Sequence, residues 1–219
     1  MAIKAVAFDM DGLMVDTEDT YGKAASALLA RRGKVFTKEL DSICMGRPPR
    51  VTFELFQETF GFPETWEELQ TESENLFLRF LDEGFLTMPG LYELLDYLEQ
   101  RNIPKGICTS SSIRIAKEVL RRKDLMKRFD FLLTIEDVAC GKPDPEVYLK
   151  AAERFGISPS AMLVLEDSPP GCQAATGAGA FAVAVRVKHN SHCEFTYAKL
   201  VVPVLNDPQV LELFKCAAE

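Results

Sequence analysis

Five short apolar runs rich in β-branched residues constrain this chain more than any other feature. They lie at Lys4 to Phe8, Lys105 to Thr109, Phe131 to Thr134, Met162 to Leu165 and Phe181 to Val185. Most lack the polar and apolar alternation of a strand with one wet face, so they read as strands buried on both sides. Helical patterns separate the later runs. Leu91, Leu94, Leu95 and Leu98 share one face, with stop signals at Asn102 and Pro104. Ile113 to Arg122 and Pro145 to Phe155 supply two more helices, each starting near a Ser or Asp able to cap it. Strand alternating with helix predicts an α/β fold, a parallel Rossmann-like sheet with right-handed crossovers.

The alternation fails once. Residues 9–104 separate the first run from the second, too many for a structureless loop. That stretch carries helical patterns of its own at Tyr21 to Arg32, Val51 to Phe60 and Trp66 to Asp82. In the last, Trp66, Leu69, Leu76, Phe77, Phe80 and Leu81 keep helical spacing. Residues 16–87 therefore read as a small all-helical insertion with its own core, placed as a cap over one edge of the sheet. Residues 1–15 and 88–219 form the main domain, and Gly84 with Met88-Pro89-Gly90 marks the return to it.

Charge and composition narrow the function classes. The chain of 219 residues has a formal net charge of -8 and no long Lys/Arg block, which argues against nucleic acid as a partner. A few local cations and a metal can still reverse the field inside one pocket and hold a small phosphate ester. No apolar run is long enough to span a bilayer, and the start, MAIKAVAFDMDG, lacks a signal peptide's pattern, so no membrane partner and a cytoplasmic location are expected. The six cysteines, at 44, 108, 140, 172, 193 and 216, are scattered and form no CxxC, which favours reduced thiols. A monomer is the default expectation.

Four loops at strand ends carry the candidate chemistry. Asp9-Met10-Asp11-Gly12 follows the first strand. Two carboxylates so placed can share a divalent cation, and the same residues would equally make an acidic turn. Thr109-Ser110-Ser111 offers hydroxyls and helix-start amides to a phosphate, or simply caps a helix. Gly141-Lys142-Pro143-Asp144-Pro145 projects one Lys from a stiff turn. Glu166-Asp167-Ser168 places a second acid pair after the fourth strand, as a metal site or as helix caps.

The ordered set DMDGLMVDTE, TSS, GKPDP and LEDS, each at the end of a successive strand, resembles the haloacid dehalogenase superfamily of phosphotransferases. The resemblance covers essentially the whole chain. It is strongest to the β-phosphoglucomutase-like phosphatases, whose helical cap falls between the first and second motifs. The resemblance implies a Mg²⁺-dependent phosphatase acting on a small phosphorylated metabolite. Asp9 would be the nucleophile that forms an aspartyl phosphate, and Asp11 the general acid and base. Thr109 and the Ser110 amide would hold phosphoryl oxygens, with Lys142 offsetting charge. Asp9, the Asp11 carbonyl and Asp167 would bind the metal, with Glu166 acting directly or through water. The related dehalogenases lack the second acid, so Asp11 disfavours a carbon–halogen substrate.

The cap bears on hydrolysis against mutation. Sugar-phosphate mutases of this family share Asp16 and Thr17 but carry a His where this chain has Tyr21. They also place a cap Arg three residues after a Gly, whereas Arg47 and Arg50 here lie one and four after Gly46. Asp16-Thr17-Glu18 looks like the phosphatase branch, so hydrolysis is expected, with a phosphomutase and a non-catalytic phosphoacceptor module as alternatives. Arg47 and Arg50 are candidates for reading the leaving group. Asp16 and Thr17 would shape the hinge between cap and core. Gly177-Ala178-Gly179-Ala180 mimics a dinucleotide fingerprint, but it follows a helix and precedes a strand, the reverse of the required order. His189, His192 and Cys193 have no second ligand cluster and are expected in a surface loop.

Overall fold

The computed structural model describes residues 2–44 and 47–215; Gly46, the reference point of the arginine spacing, and Cys216 lie outside them. Six strands form one sheet: β1 (Ala5–Phe8), β2 (Lys105–Cys108), β3 (Phe131–Leu133), β4 (Met162–Glu166), β5 (Phe181–Val185) and β6 (Leu200–Val202). Their order is β3-β2-β1-β4-β5-β6, and every neighbouring pair is parallel. Every residue of β1, β2 and β4 is buried, as strands covered on both faces require. Phe8 pairs with Ile107 on one side and Leu165 on the other, so the loops leaving these three strands open on the same edge.

The insertion between β1 and β2 contains α1 (Glu18–Ala30), α2 (Lys38–Cys44), α3 (Pro49–Phe60) and α4 (Trp66–Leu81). α4 starts on a capping box. The Thr65 hydroxyl accepts from the Glu68 N–H at 3.2 Å while the Glu68 carboxylate accepts from the Thr65 N–H at 2.8 Å. Its buried residues, Leu69, Leu76, Phe77 and Leu81, pack against α1 and α3. The expectation of a separate small core is corrected here. Leu28, Phe53, Phe56 and Phe77 belong to the same apolar cluster as Val6 and Phe8, together with Leu13, Met14 and Phe85. The two chain crossings are zipped together: Val15 bridges Thr87, the Asp16 N–H donates to the Leu86 carbonyl at 2.9 Å, and the Met88 N–H donates to that of Met14 at 2.9 Å.

The remaining helices are α5 (Leu91–Gln100), α6 (Ile113–Arg122), α7 (Glu146–Phe155), α8 (Pro169–Gly177) and α9 (Pro208–Glu212). α5 buries the expected Leu91, Leu94, Leu95 and Leu98, each contributing about 1.5–3 kcal/mol by leaving water. α8 ends at Gly177 and β5 begins at Phe181, the helix–turn–strand order expected of that glycine-rich segment. β6 and α2 are not among the elements expected from the sequence: β6 is a three-residue edge strand with Val201 exposed, and α2 buries none of its residues. Among the described residues no helix is long and apolar enough to cross a membrane, and the five described cysteines are free thiols.

Candidate active site

The strand order reverses its direction of growth between β1 and β4, and open α/β sheets bind ligands at the carboxyl ends of such a pair. Asp9 leaves β1 there, Glu166 ends β4 and Asp167 follows it. Lys142 sits between them. Its ammonium donates to Asp9 Oδ1 at 2.5 Å, to Glu166 Oε1 at 2.6 Å and to the Cys108 carbonyl at 3.0 Å, which uses all three of its protons. Asp9, Lys142, Glu166 and Asp167 are all buried. Glu166 also accepts from the Tyr148 hydroxyl at 2.6 Å and the Ser168 hydroxyl at 3.0 Å. A side chain at Gly171 would overlap the Glu166 carboxylate, so only glycine lets α8 approach this closely.

Carboxylate oxygens of Asp9, Glu166 and Asp167 lie within 4.8 Å of one another. Burial pushes Asp9 well above the ordinary carboxylate range, against the pull of Lys142. Burial, reinforced by the Glu166 charge, does the same to Asp167. Burial also works against the Lys142 ammonium, but the Asp9 and Glu166 charges outweigh it and its pKa rises. Three buried carboxylates thus cluster about one ammonium, which bonds two of them. An all-oxygen donor set with excess negative charge is the chemistry of a hard divalent cation.

Asp11 points elsewhere. Its carboxylate accepts from the Thr17 hydroxyl at 2.7 Å and the Ser111 hydroxyl at 2.6 Å, with Thr109 Oγ1 more distant at 3.4 Å. Burial raises its pKa, and the bonds from Ser111 and Thr17 oppose the rise. Tyr21 Oη lies 2.6 Å from Ser111 Oγ, and its ring packs on Phe77 at 4.3 Å between centroids. A hydrogen-bonded path therefore runs from the inserted helices through Ser111 to Asp11. The helix caps are different residues. Ser112 caps α6 and Ser168 caps α8, which leaves Thr109 and Ser111 to the site and Asp167 to the acidic cluster.

A cavity of about 190 Å³ lies over these groups, with Asp9, Asp11, Thr109, Ser110 and Lys142 in its lining. Phe36, Phe53, Phe56 and Phe77 also line it, so the insertion contributes apolar lining. Arg47 lines it too. Arg50 does not. It is exposed, pairs with Glu54 at 2.7 Å one turn along α3 and lies over Trp66, which corrects its candidacy as a contact to the leaving group. Asp16 is exposed and joins the zipped crossing by its backbone, while Thr17 is buried against Asp11.

His189 corrects the expectation of a surface loop: its Nε2 lies 2.6 Å from Asp167 Oδ2. His192 is exposed, as expected. Tyr148 and His189 are the site residues that sequence reasoning missed. Neither sits in one of the four motifs, and both reach the acids only through the folding of α7 and of the loop after β5. Tyr21 had one signal, as the place where the related mutases carry a His.

A family model described as haloacid dehalogenase-like hydrolase matches residues 6–185. The chain belongs to that family. A protein of Thermotoga maritima named "Phosphorylated carbohydrates phosphatase" is 36% identical over 177 residues, covering 81% of this chain and 82% of the relative. A Drosophila melanogaster protein named "Probable pseudouridine-5'-phosphatase" is 32% identical over 206 residues, covering 91% and 89%. Curated relatives of this hydrolase are named phosphatases, and the chain is a phosphoric monoester hydrolase. The crystal structure of CbbY from Rhodobacter sphaeroides in complex with phosphate shares the fold, with a TM-score of 0.87 at 22% identity over 96% of this chain and 99% of that one.

Proposed function

We propose that this hydrolase removes phosphate from a small phosphorylated metabolite through an aspartyl phosphate on Asp9, with Mg²⁺ as its metal. The observation that carries the reading is the buried trio Asp9, Glu166 and Asp167 around Lys142, with Asp11 facing the same cavity from two residues beyond Asp9. Asp9 and Asp167, with the Asp11 carbonyl, would hold the metal directly. The Glu166 oxygens already carry Lys142, Tyr148 and Ser168, which favours an indirect role through water. When bound, Mg²⁺ supplies positive charge to the equatorial phosphoryl oxygens.

The rest of the chemistry belongs to the chain's own residues. Asp9 Oδ attacks phosphorus as the ester P–O bond breaks, and Asp11 gives its proton to the departing oxygen. Burial raises the Asp11 pKa above that of an exposed acid, which favours the protonated form the first step requires. Asp11, now a carboxylate, takes a proton from the water that attacks the aspartyl phosphate, which frees inorganic phosphate and restores both acids. Thr109 and the Ser110 amide orient phosphoryl oxygens, while Lys142 opposes the effect of burial on Asp9 and so favours the carboxylate form that attacks.

The relatives named for phosphorylated carbohydrates and for pseudouridine-5'-phosphate suggest the leaving group. A cavity of about 190 Å³ with four phenylalanines, Gln70 and Glu74 in its lining suits a sugar or nucleoside moiety. The test is Asp9→Asn assayed for phosphate release from an aryl phosphate in Mg²⁺, beside a panel of sugar phosphates and nucleoside monophosphates. Release should fall to background in the variant. Retained turnover overturns the nucleophile assignment, and isomerisation of a hexose phosphate without net release favours a mutase.

A further inference from the structure

The loop after β5 is built around Asn190. This side chain is fully buried, donates to the Asp167 carbonyl at 2.8 Å and the Val185 carbonyl at 3.0 Å, and accepts from the Val187 N–H at 2.8 Å. With its amide protons and its oxygen all engaged, Asn190 has one seat, and that seat fixes the residue beside it. His189 is thereby laid against the Asp167 side chain, with Nε2 at 2.6 Å from Oδ2. Gly12 completes the arrangement. Its φ is +77°, and a Cβ there would overlap both Asp167 Oδ2 and the His189 ring, so the contact fills space that only glycine leaves open. Loops from β1, β4 and β5 thus converge on one oxygen of one carboxylate.

An ionised carboxylate can only accept, so in that state Nε2 carries a proton and donates it to Oδ2. The other oxygen, Oδ1, keeps its lone pairs for a cation. Without the imidazole, Asp167 would lose its only side-chain partner among the described residues and would have to be ordered at the moment of metal binding.

We propose that His189 is a positioning residue that holds Asp167 in its cation-binding pose. The proposal rests on the reading of Asp167 as a metal ligand. Outer partners of this kind typically change metal affinity by roughly 10–100-fold when removed. His189 does not touch substrate or the reacting atoms in this role, and its effect passes entirely through occupancy of the metal site.

The test is calorimetric titration of the metal-stripped full chain with MgCl₂ and, separately, ZnCl₂, for wild type, His189→Ala and His189→Gln, with Asp167→Asn as control. The Ala variant should bind Mg²⁺ roughly 10–100-fold more weakly with an unchanged metal-free circular dichroism spectrum. Its kcat should approach wild type at saturating Mg²⁺. The Gln variant, whose amide can donate to the same oxygen, should recover most of the affinity and also covers the case in which the Ala variant folds poorly. Equal Mg²⁺ affinity in wild type and Ala overturns the proposal. So does a loss confined to Zn²⁺ that Gln fails to restore, because that pattern makes His189 a direct ligand beside Glu18 and Asp167, whose ligand atoms lie within 4.8 Å of one another. No Mg²⁺ binding by the wild type, or undiminished binding by Asp167→Asn, removes the metal reading of Asp167 itself and is thereby distinguished from a failure of His189 alone.

Discussion

Lys142 is 3% exposed and gives every proton it has to Asp9, Glu166 and the Cys108 carbonyl, so its removal leaves two carboxylates facing each other in a dry site. Lys142→Met keeps most of the volume and deletes the charge. Breaking a buried pair in this way costs about 3–5 kcal/mol, and urea denaturation in EDTA should show a loss of that order. Excess Mg²⁺ should restore part of it, since a cation among the acids replaces some of the missing charge. A loss of the same size with and without Mg²⁺ would mean that no cation enters the cluster. Asp9 and Asp167 were legible in the sequence because each follows an apolar strand in a short polar motif and the parallel register brings those ends level, and Lys142 because it stands in the short Gly-Lys-Pro turn before α7. Tyr148 and His189 were not, because what places them is the packing of α7 under Lys142 and the anchoring of a loop by Asn190.

At the scale of elements, a hydrogen-bonded path joins the inserted helices to the candidate chemistry. Tyr21 on α1 meets Ser111, and Ser111 meets Asp11. In the proposed mechanism this path would let the inserted helices orient Asp11, the acid proposed to protonate the leaving group. Tyr21→Phe keeps the ring on Phe77 and removes only the hydroxyl, and Ser111→Ala removes the middle partner. Each should lower kcat by roughly tenfold, which is about 1.4 kcal/mol. The double variant should be little worse than either single one, since both break the same path. Fully additive losses would show that the two residues act separately. The elements forming this path were readable from helical spacing and from the gap between the first two strands. The continuity of their core with that of the sheet was not, because helical spacing shows which face of a helix is buried and leaves open what covers it.

For the molecule as a whole, the buried acids of the site are a source of instability that the proposed cation would relieve. Glu18, in the first turn of α1, is raised from 4.5 to about 8 by burial and by the Asp167 charge, and burial also raises Asp9 and Asp167. An acid whose pKa is higher folded than unfolded binds more protons in the native state, so stability falls as pH rises from its unfolded value through its folded one. For Glu18 that window runs from 4.5 to about 8. Glu118, lowered to about 2 by its bonds to Arg121 and Arg122, stabilises the fold above its unfolded value and loses that contribution as pH falls toward 2, outside the window. In EDTA, the melting temperature should therefore decline between pH 5 and pH 8, and Glu18→Gln should flatten part of the decline. The proposed Mg²⁺ would bind the native acids in their ionised form and add stability that rises with the logarithm of its concentration above Kd, so its effect should grow across the same interval. Melting curves at fixed ionic strength, with EDTA and with MgCl₂, should diverge as pH rises. Curves that stay parallel would show that these carboxylates neither repel one another in the folded chain nor gather a cation.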